Sequence, residues 1–312
     1  MRRIFMLLTV ILGTVVFISF RPGSPPSTIT LNPVDYTKTP IYKKISNKKG
    51  LKPEYKYLDS VDIFSITHLS DSLKITGFMV QPKKPGKYPC IIYNRGGNRS
   101  YGQLLVGTAV QVMAPMAAKG YIVIATNYRG ADYCDGKDEF GGSDVNDVIN
   151  LMHSLAEVPM ADTSRIGMFG VSRGGMMTYL SLTKTSKIKA AVVSAGIADA
   201  FLNSSNPDHP DMITVYEELV PGFRQNKDSV LKIRSATWMA EKMCPTTPLL
   251  ILHGTADKRV SVKEAEKLAQ KLKELNRNFE FITYEGDDHG LNKNKEAAFA
   301  KTLGWFDKYL KN

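Results

Sequence analysis

The sequence predicts an α/β fold built on a mostly parallel sheet with helices on both faces. Three observations carry this. Short runs that are apolar at nearly every position recur along the chain, bounded by turn residues. Segments of helical periodicity alternate with them. The chain has 312 residues and is 43% hydrophobic, enough for one large core. Runs without polar alternation suit strands covered on both faces, as in parallel sheets. Strand–helix alternation implies right-handed crossovers between parallel neighbours.

The elements follow in order. "VDIFSIT" from Val61 and "LKITGFMV" from Leu73 are β-like, with a turn at Ser70-Asp71-Ser72. Six further strands are read in "YPCIIYN", "YIVIATN", "RIGMFG", "KAAVVSA", "PLLILH" and "FEFITYE". A helix in "SDVNDVINLMHSL" puts Val145, Val148, Ile149, Met152 and Leu155 on one face, with Ser143 as cap. "SVKEAEKLAQKL" opens with Ser261 and Glu264, the spacing of a capping box, and turns Val262, Ala265, Leu268 and Leu272 inward. "FAKTLGWFDKYL" aligns Phe299, Leu303, Phe306 and Leu310. The stretch from Ile197 to Met243 has no clear strand and carries Asn206-Pro207, His209-Pro210 and Pro221-Gly222. It reads as an insertion after the sixth strand.

The N-terminus is of another kind. Arg2 and Arg3 precede an uncharged apolar run from Ile4 to Phe20. This reads as a signal peptide or signal anchor over residues 1–20, with the remaining chain outside the cytoplasm: periplasmic, secreted or tethered to the membrane by that run. Residues 21–55, rich in Pro, Ser, Thr, Lys and Asn, read as a linker, and residues 56–312 as the folded domain. The net charge is +11. The denser basic patch from Lys38 to Lys56 is read as solvated surface, because no aromatic-interleaved motif marks a nucleic-acid site. Cys90, Cys134 and Cys244 are too far apart for metal-ligand spacing. No metal and no cofactor are expected.

The stretch that carries chemistry is Gly170-Val171-Ser172-Arg173-Gly174, where an apolar strand gives way to a helix pattern. A serine hydroxyl is a weak nucleophile and needs a base, oriented by a carboxylate. A sharp strand-to-helix turn lifts the hydroxyl clear of its neighbours, and small flanking residues make the turn possible. In such a fold the partners follow as acid and then histidine, each just after a strand. Asp257 follows "PLLILH", and His289 follows the last strand. Of the five histidines, His68, His153, His209 and His253 lie elsewhere. Asp287 and Asp288 are too local to His289 to orient it and read as loop charges. The backbone N–H groups of Arg173 and Gly97, the latter in "YNRGGNRSYG", are the expected oxyanion donors.

Together these segments resemble the catalytic domain of the prolyl oligopeptidase family of serine peptidases. That family shades into dienelactone-hydrolase-like and acetyl-esterase-like enzymes. "NYRGADYCDGKDEFGGSDVNDV", "GVSRGG", "LLILHGTADKRV" and "YEGDDHG" carry the likeness, which runs from about residue 60 to the end. It implies an α/β-hydrolase fold with an eight-stranded sheet. It implies Ser172 as nucleophile, Asp257 as orienting acid, His289 as base, and a small peptide or ester as substrate. The chain departs from the family in three ways. Arg95-Gly96-Gly97-Asn98 stands where many relatives have His-Gly-Gly-Pro. No room is left for a β-propeller ahead of the hydrolase domain. Ala200 stands where proline-cleaving members tend to carry a tryptophan, leaving Tyr216 as the remaining aromatic of that pocket. Peptidase and carboxylesterase readings both stand, with a non-catalytic binding module of the same fold as the different-class alternative. In this topology no two of the three cysteines approach within the ~7 Å that a disulfide needs.

Overall fold

The computed structural model describes residues 27–311. The apolar run from Ile4 to Phe20, with its expected export role, lies outside the described residues. No helix among the described residues is long and apolar enough to cross a membrane.

One nine-stranded sheet organises the chain. Its strands are β1 (Ile29–Pro33), β2 (Val61–Ser70), β3 (Leu73–Pro82), β4 (Tyr88–Asn94) and β5 (Ile122–Thr126). They continue as β6 (Ala161–Val171), β7 (Ile188–Ser194), β8 (Leu249–Gly254) and β9 (Phe279–Tyr284). The spatial order is β1-β2-β3-β5-β4-β6-β7-β8-β9. The first three strands pair antiparallel, β3 meets β5 antiparallel, and all later pairings are parallel. The expected α/β-hydrolase architecture is present, with nine strands in place of eight.

The extra strand corrects the linker assignment. β1 pairs with β2 from Ile29–His68 to Pro33–Phe64. Ser27 and Thr28 bond the Glu157 carboxylate. Beyond it, Ile45 and Leu58 are fully buried. The polar composition of residues 21–55 hid this, because an edge strand five residues long needs only one apolar face. The folded domain therefore includes residues from 27 onward, not only those from residue 56.

The central strands are buried on both faces, which explains their unbroken apolar runs. In β4, Cys90 and Ile92 enter the core on one side while Ile91 and Tyr93 enter the core on the other. One face is covered by α1 (Val145–Leu155), α2 (Arg173–Leu182) and α6 (Val262–Glu274). The other is covered by a helical stretch over residues 106–117 and by α7 (Lys295–Leu310). The insertion after β7 folds as α3 (Ala200–Ser204), α4 (Met212–Leu219) and α5 (Phe223–Lys232). It follows the strand read as the sixth, now seventh with β1 counted.

One expected cap is replaced and one is kept in part. Asp144, not Ser143, precedes α1, and its carboxylate is turned to the Gly141 N–H and to Arg173 instead of capping. Ser261 accepts a bond from Lys263 N, but Glu264 turns into the protein and closes no capping box. Cys90 is buried near the start of β4, Cys134 touches Thr76, and Cys244 precedes β8; all three are free thiols.

The site is positioned by the point where strand order reverses. β4 has β5 on one side and β6 on the other. The loops leaving β4 and β6 therefore diverge at their C-terminal ends and open a crevice there, where ligands bind in open α/β sheets.

Candidate active site

Ser172 sits between β6 and α2 with φ 58° and ψ −124°. A non-glycine residue in this region is strained and persists only when its surroundings over-determine it. Here they do. Ser172 N–H bonds Ser194 O at 3.1 Å, and its carbonyl accepts from Gly175 N and Ile197 N. The flanking glycines are required by contact. A Cβ on Gly170 would lie 2.2 Å from Gly174 O, and one on Gly174 would lie 1.9 Å from Asn94 O. The serine is held up where the strand, the helix and β4 come closest.

The other two residues read from the sequence come together on the loops after β8 and β9. His289 Nδ1 lies 2.7 Å from Asp257 Oδ2. Asp257 Oδ1 accepts from Arg259 N at 2.8 Å and Val260 N at 3.0 Å. Burial pushes the Asp257 carboxyl upward, but hydrogen bonds from His253 and His289 outweigh it and hold the group well below the usual carboxylate range. Asp287 and Asp288 are placed as loop charges. The Asp287 carboxylate accepts from the backbone of Asp288, Lys293 and Asn294. Asp288 binds Gly290 N and Asn292.

His253 was passed over in the sequence and belongs here. It is fully buried, with Nε2 at 2.9 Å from Val260 O and 3.2 Å from Asp257 Oδ2. Both neighbours are acceptors, so Nε2 carries the proton. Its position at i−4 from the acid, at a strand end, was the available signal.

A cleft of about 240 Å³ opens beside Ser172. Gly97, Asn98, Phe140, Met212, Arg259 and Val260 line it. Arg173 N–H is at the first position of α2, where a helix leaves its N–H groups free. Gly96 lies against the serine: a Cβ there would be 3.1 Å from Ser172 Cβ.

The two expected substrate-binding residues are elsewhere. Ala200 and Tyr216 are fully buried and do not line the cleft. Tyr216 packs edge-on to Phe140 and donates to Asn203 Oδ1 at 3.3 Å. The insertion uses Tyr216 as core and presents Met212 and Val215 to the cleft instead. Among the described residues no cluster of His, Cys, Asp and Glu is arranged to hold a metal.

Comparison with known proteins places this geometry in a lineage. Residues 107–312 match the profile of the prolyl oligopeptidase family. The uncharacterized peptidase YtmA of Bacillus subtilis is 29% identical over 230 residues, covering 73% of this chain and 86% of that protein. Dipeptidyl-peptidase 5 of Porphyromonas gingivalis is 26% identical over 239 residues, covering 73% of this chain but only 34% of its own length. Among solved structures, Pyrococcus horikoshii acylaminoacyl peptidase superposes with a TM-score of 0.70 at 22% identity, over 83% of this chain and 44% of that one. A Mycobacterium tuberculosis puromycin-hydrolyzing peptidase gives 0.68 at 23% identity, over 83% and 40%. The chain thus spans less than half of these longer proteins and most of the short Bacillus relative. With the family profile matching about two thirds of its residues, the chain belongs to the prolyl oligopeptidase family of serine peptidases.

Proposed function

We propose that this chain cleaves the amide bond of small peptides through an acyl-enzyme on Ser172. Ser172 Oγ bonds to the scissile carbonyl carbon, its proton passes to His289, and the carbonyl oxygen takes the electron pair. Collapse of that adduct expels the amine, which receives the proton from His289. Water then repeats the sequence on the acyl-serine. Asp257 orients the imidazole and stabilises its charged form. The N–H groups of Arg173 and Gly97 receive the developing oxyanion.

The observation that supports this reading best is the 2.7 Å His289–Asp257 pair. Arg259 and Val260, whose N–H groups hold Asp257, line the same cleft as Ser172, a serine held at positive φ. The peptidase relatives favour an amide over an ester. Tyr216 is withdrawn into the core and Ala200 is buried, so neither offers a proline-stacking surface, and the aromatics that line the cleft are Tyr101 and Phe140. The reading is therefore a peptidase of small peptides, and ester hydrolysis by the same residues is the second arm of the test. We also propose that the apolar run from Ile4 to Phe20 takes the domain out of the cytoplasm. Cell fractionation that recovers the full-length chain in the cytosol would refute this.

The function is tested with a fluorophosphonate probe and a panel of small peptide amides and p-nitrophenyl esters. Wild type is expected to be labelled at Ser172 and to turn over amides. Ser172→Ala is expected to lose both activities while keeping its fold. Turnover by that variant near the wild-type rate would overturn the assignment. Absence of labelling in wild type would favour a binding module.

A further inference from the structure

Two arginines with no role in the proposed proton transfers are buried beside the nucleophile. Arg95 and Arg173 are each 1% exposed. Both pack on one ring, with their guanidinium carbons 4.9 Å and 5.1 Å from the Tyr128 centroid. A buried charge is costly unless it is hydrogen-bonded or paired. How each is satisfied shows what it holds.

Arg95 has no carboxylate bonded to it. Its guanidinium donates to four carbonyls: Gly96 O at 3.0 Å, Tyr101 O at 3.1 Å, Arg99 O at 2.7 Å, and Asn127 O. Three of these belong to the loop after β4, which is thus wound around the guanidinium. Burial, reinforced by the nearby Arg173 charge, lowers the Arg95 group to about 10. The loop is tight enough to demand glycine at one point. Gly97 has φ +75°, and a Cβ there would lie 2.1 Å from Tyr101 O.

Arg173 is paired with Asp138 and Asp144. Although burial opposes its charge, the two carboxylates hold the guanidinium above its ordinary range. It also donates to Gly97 O at 3.0 Å. Asp138 closes the circuit, accepting from Arg173 at 2.7 Å and from Arg99 N, in the same loop, at 2.7 Å. The residue whose backbone begins α2 thus grips, through its side chain, the carbonyl of the residue opposite.

We propose that Arg95 and Arg173 are positioning residues that fix the β4 loop against the first turn of α2, so that the Gly97 and Arg173 N–H groups converge on one oxyanion. This rests on the triad reading above. It accounts for the arginine standing where many relatives carry histidine. An imidazole has two ring nitrogens and reaches two partners, whereas a guanidinium has five N–H donors. It predicts an effect confined to the charged, tetrahedral state, since the clamp aligns donors that matter only once the oxygen has gained the electron pair.

The test uses Arg95→Lys and Arg173→Lys, which keep the charge but lose the planar fork, with Asp138→Asn as a milder variant. Three quantities are read on the full chain: kcat and KM on the best substrate, and inhibition by a peptide aldehyde or boronate that forms a tetrahedral serine adduct. In both lysine variants kcat is expected to fall about a hundredfold with KM nearly unchanged, and the inhibition constant to rise in proportion to the loss of kcat/KM. Asp138→Asn is expected to move the same quantities in the same direction by less. Combining the two lysine changes should cost less than the product of the single effects, because both act on one loop. Unchanged kcat in folded variants would overturn the proposal, as would a kcat loss with adduct inhibition intact. If Ser172→Ala is inactive and the clamp variants match wild type, the triad reading survives and only the clamp fails.

Discussion

At Asp257 the two carboxylate oxygens divide their work. Oδ1 takes the backbone N–H groups of Arg259 and Val260, which fix the side chain to its own turn. Oδ2 faces His289, with His253 behind it. Asp257→Asn is therefore expected to lower kcat by roughly 10³- to 10⁴-fold with little loss of stability, as removal of a triad acid does. Asp287→Asn and Asp288→Asn should cost far less, because both carboxylates are engaged by their own loop. Measuring kcat for the three variants decides the matter: a crippled Asp288→Asn beside an active Asp257→Asn would reverse the assignment. His253→Leu isolates the second imidazole. Without its donor, negative charge concentrates on the oxygen facing His289 and stabilises the imidazolium more. In the proposed mechanism activity falls on acidification, since a protonated base takes no proton from serine. That acid limb of kcat/KM is expected to move to higher pH in His253→Leu, with kcat down about tenfold. Of the charged residues nearby in the two loops, Arg259 is exposed and bonded to Tyr101, and Asp287 is held by its own loop. A lower melting temperature with an unmoved pH profile would mean that His253 only packs.

At the scale of elements, α6 shows how one side chain ties helix to sheet. Glu264 is fully buried and accepts Ala198 N at 3.0 Å and Asp199 N at 3.1 Å, where the chain leaves β7 for α3. Burial is the main cause that raises this carboxyl from 4.5 to about 8. The folded state thus binds a proton that the unfolded chain has released, and stability falls as pH rises across that window. Glu264→Gln, neutral throughout, is expected to flatten that part of the profile. Urea midpoints from pH 5 to 8 would check it, and an unchanged slope in the variant would remove Glu264 as the cause. The same spacing, a serine followed three residues later by glutamate, had pointed to a capping box. The competing partners lie some 65 positions away in sequence, so no local rule could find them. The helical stretch over residues 106–117 escaped for a different reason. It is broken into an α-turn, a π-helical segment Ala109–Met113 and a last turn containing Pro115, and a broken period leaves no clean pattern.

For the whole molecule, β1 changes where the domain begins. Without it, β2 would be an edge strand ten residues long, with unpaired backbone groups available for association. A chain starting at residue 35 is therefore expected to melt at a lower temperature and aggregate sooner than one starting at Ser27. Thermal unfolding of the two compares them directly. Equal stability would return residues 27–34 to the status of a linker. Activity of the shorter chain should persist while it stays folded, because the crevice lies across the sheet at β4, β6 and β8.

The sequence by itself determined eight of the sheet's nine strands, its parallel core, the strand-to-helix turn at Ser172 and the order of Asp257 and His289. All of these rest on short-range patterns: unbroken apolar runs, helical spacing, glycines around one serine, and an aspartate and a histidine each following a strand. Only the tertiary structure decided which polar groups share a site. It brought His253 onto Asp257, sent Tyr216 and Glu264 into the core, paired β1 with β2, and wound the β4 loop around Arg95. Those choices depend on which distant donors and acceptors meet once the backbone has closed. Burial makes an unmet polar group costly, so the pairing is settled by the assembled fold and not by neighbours along the chain.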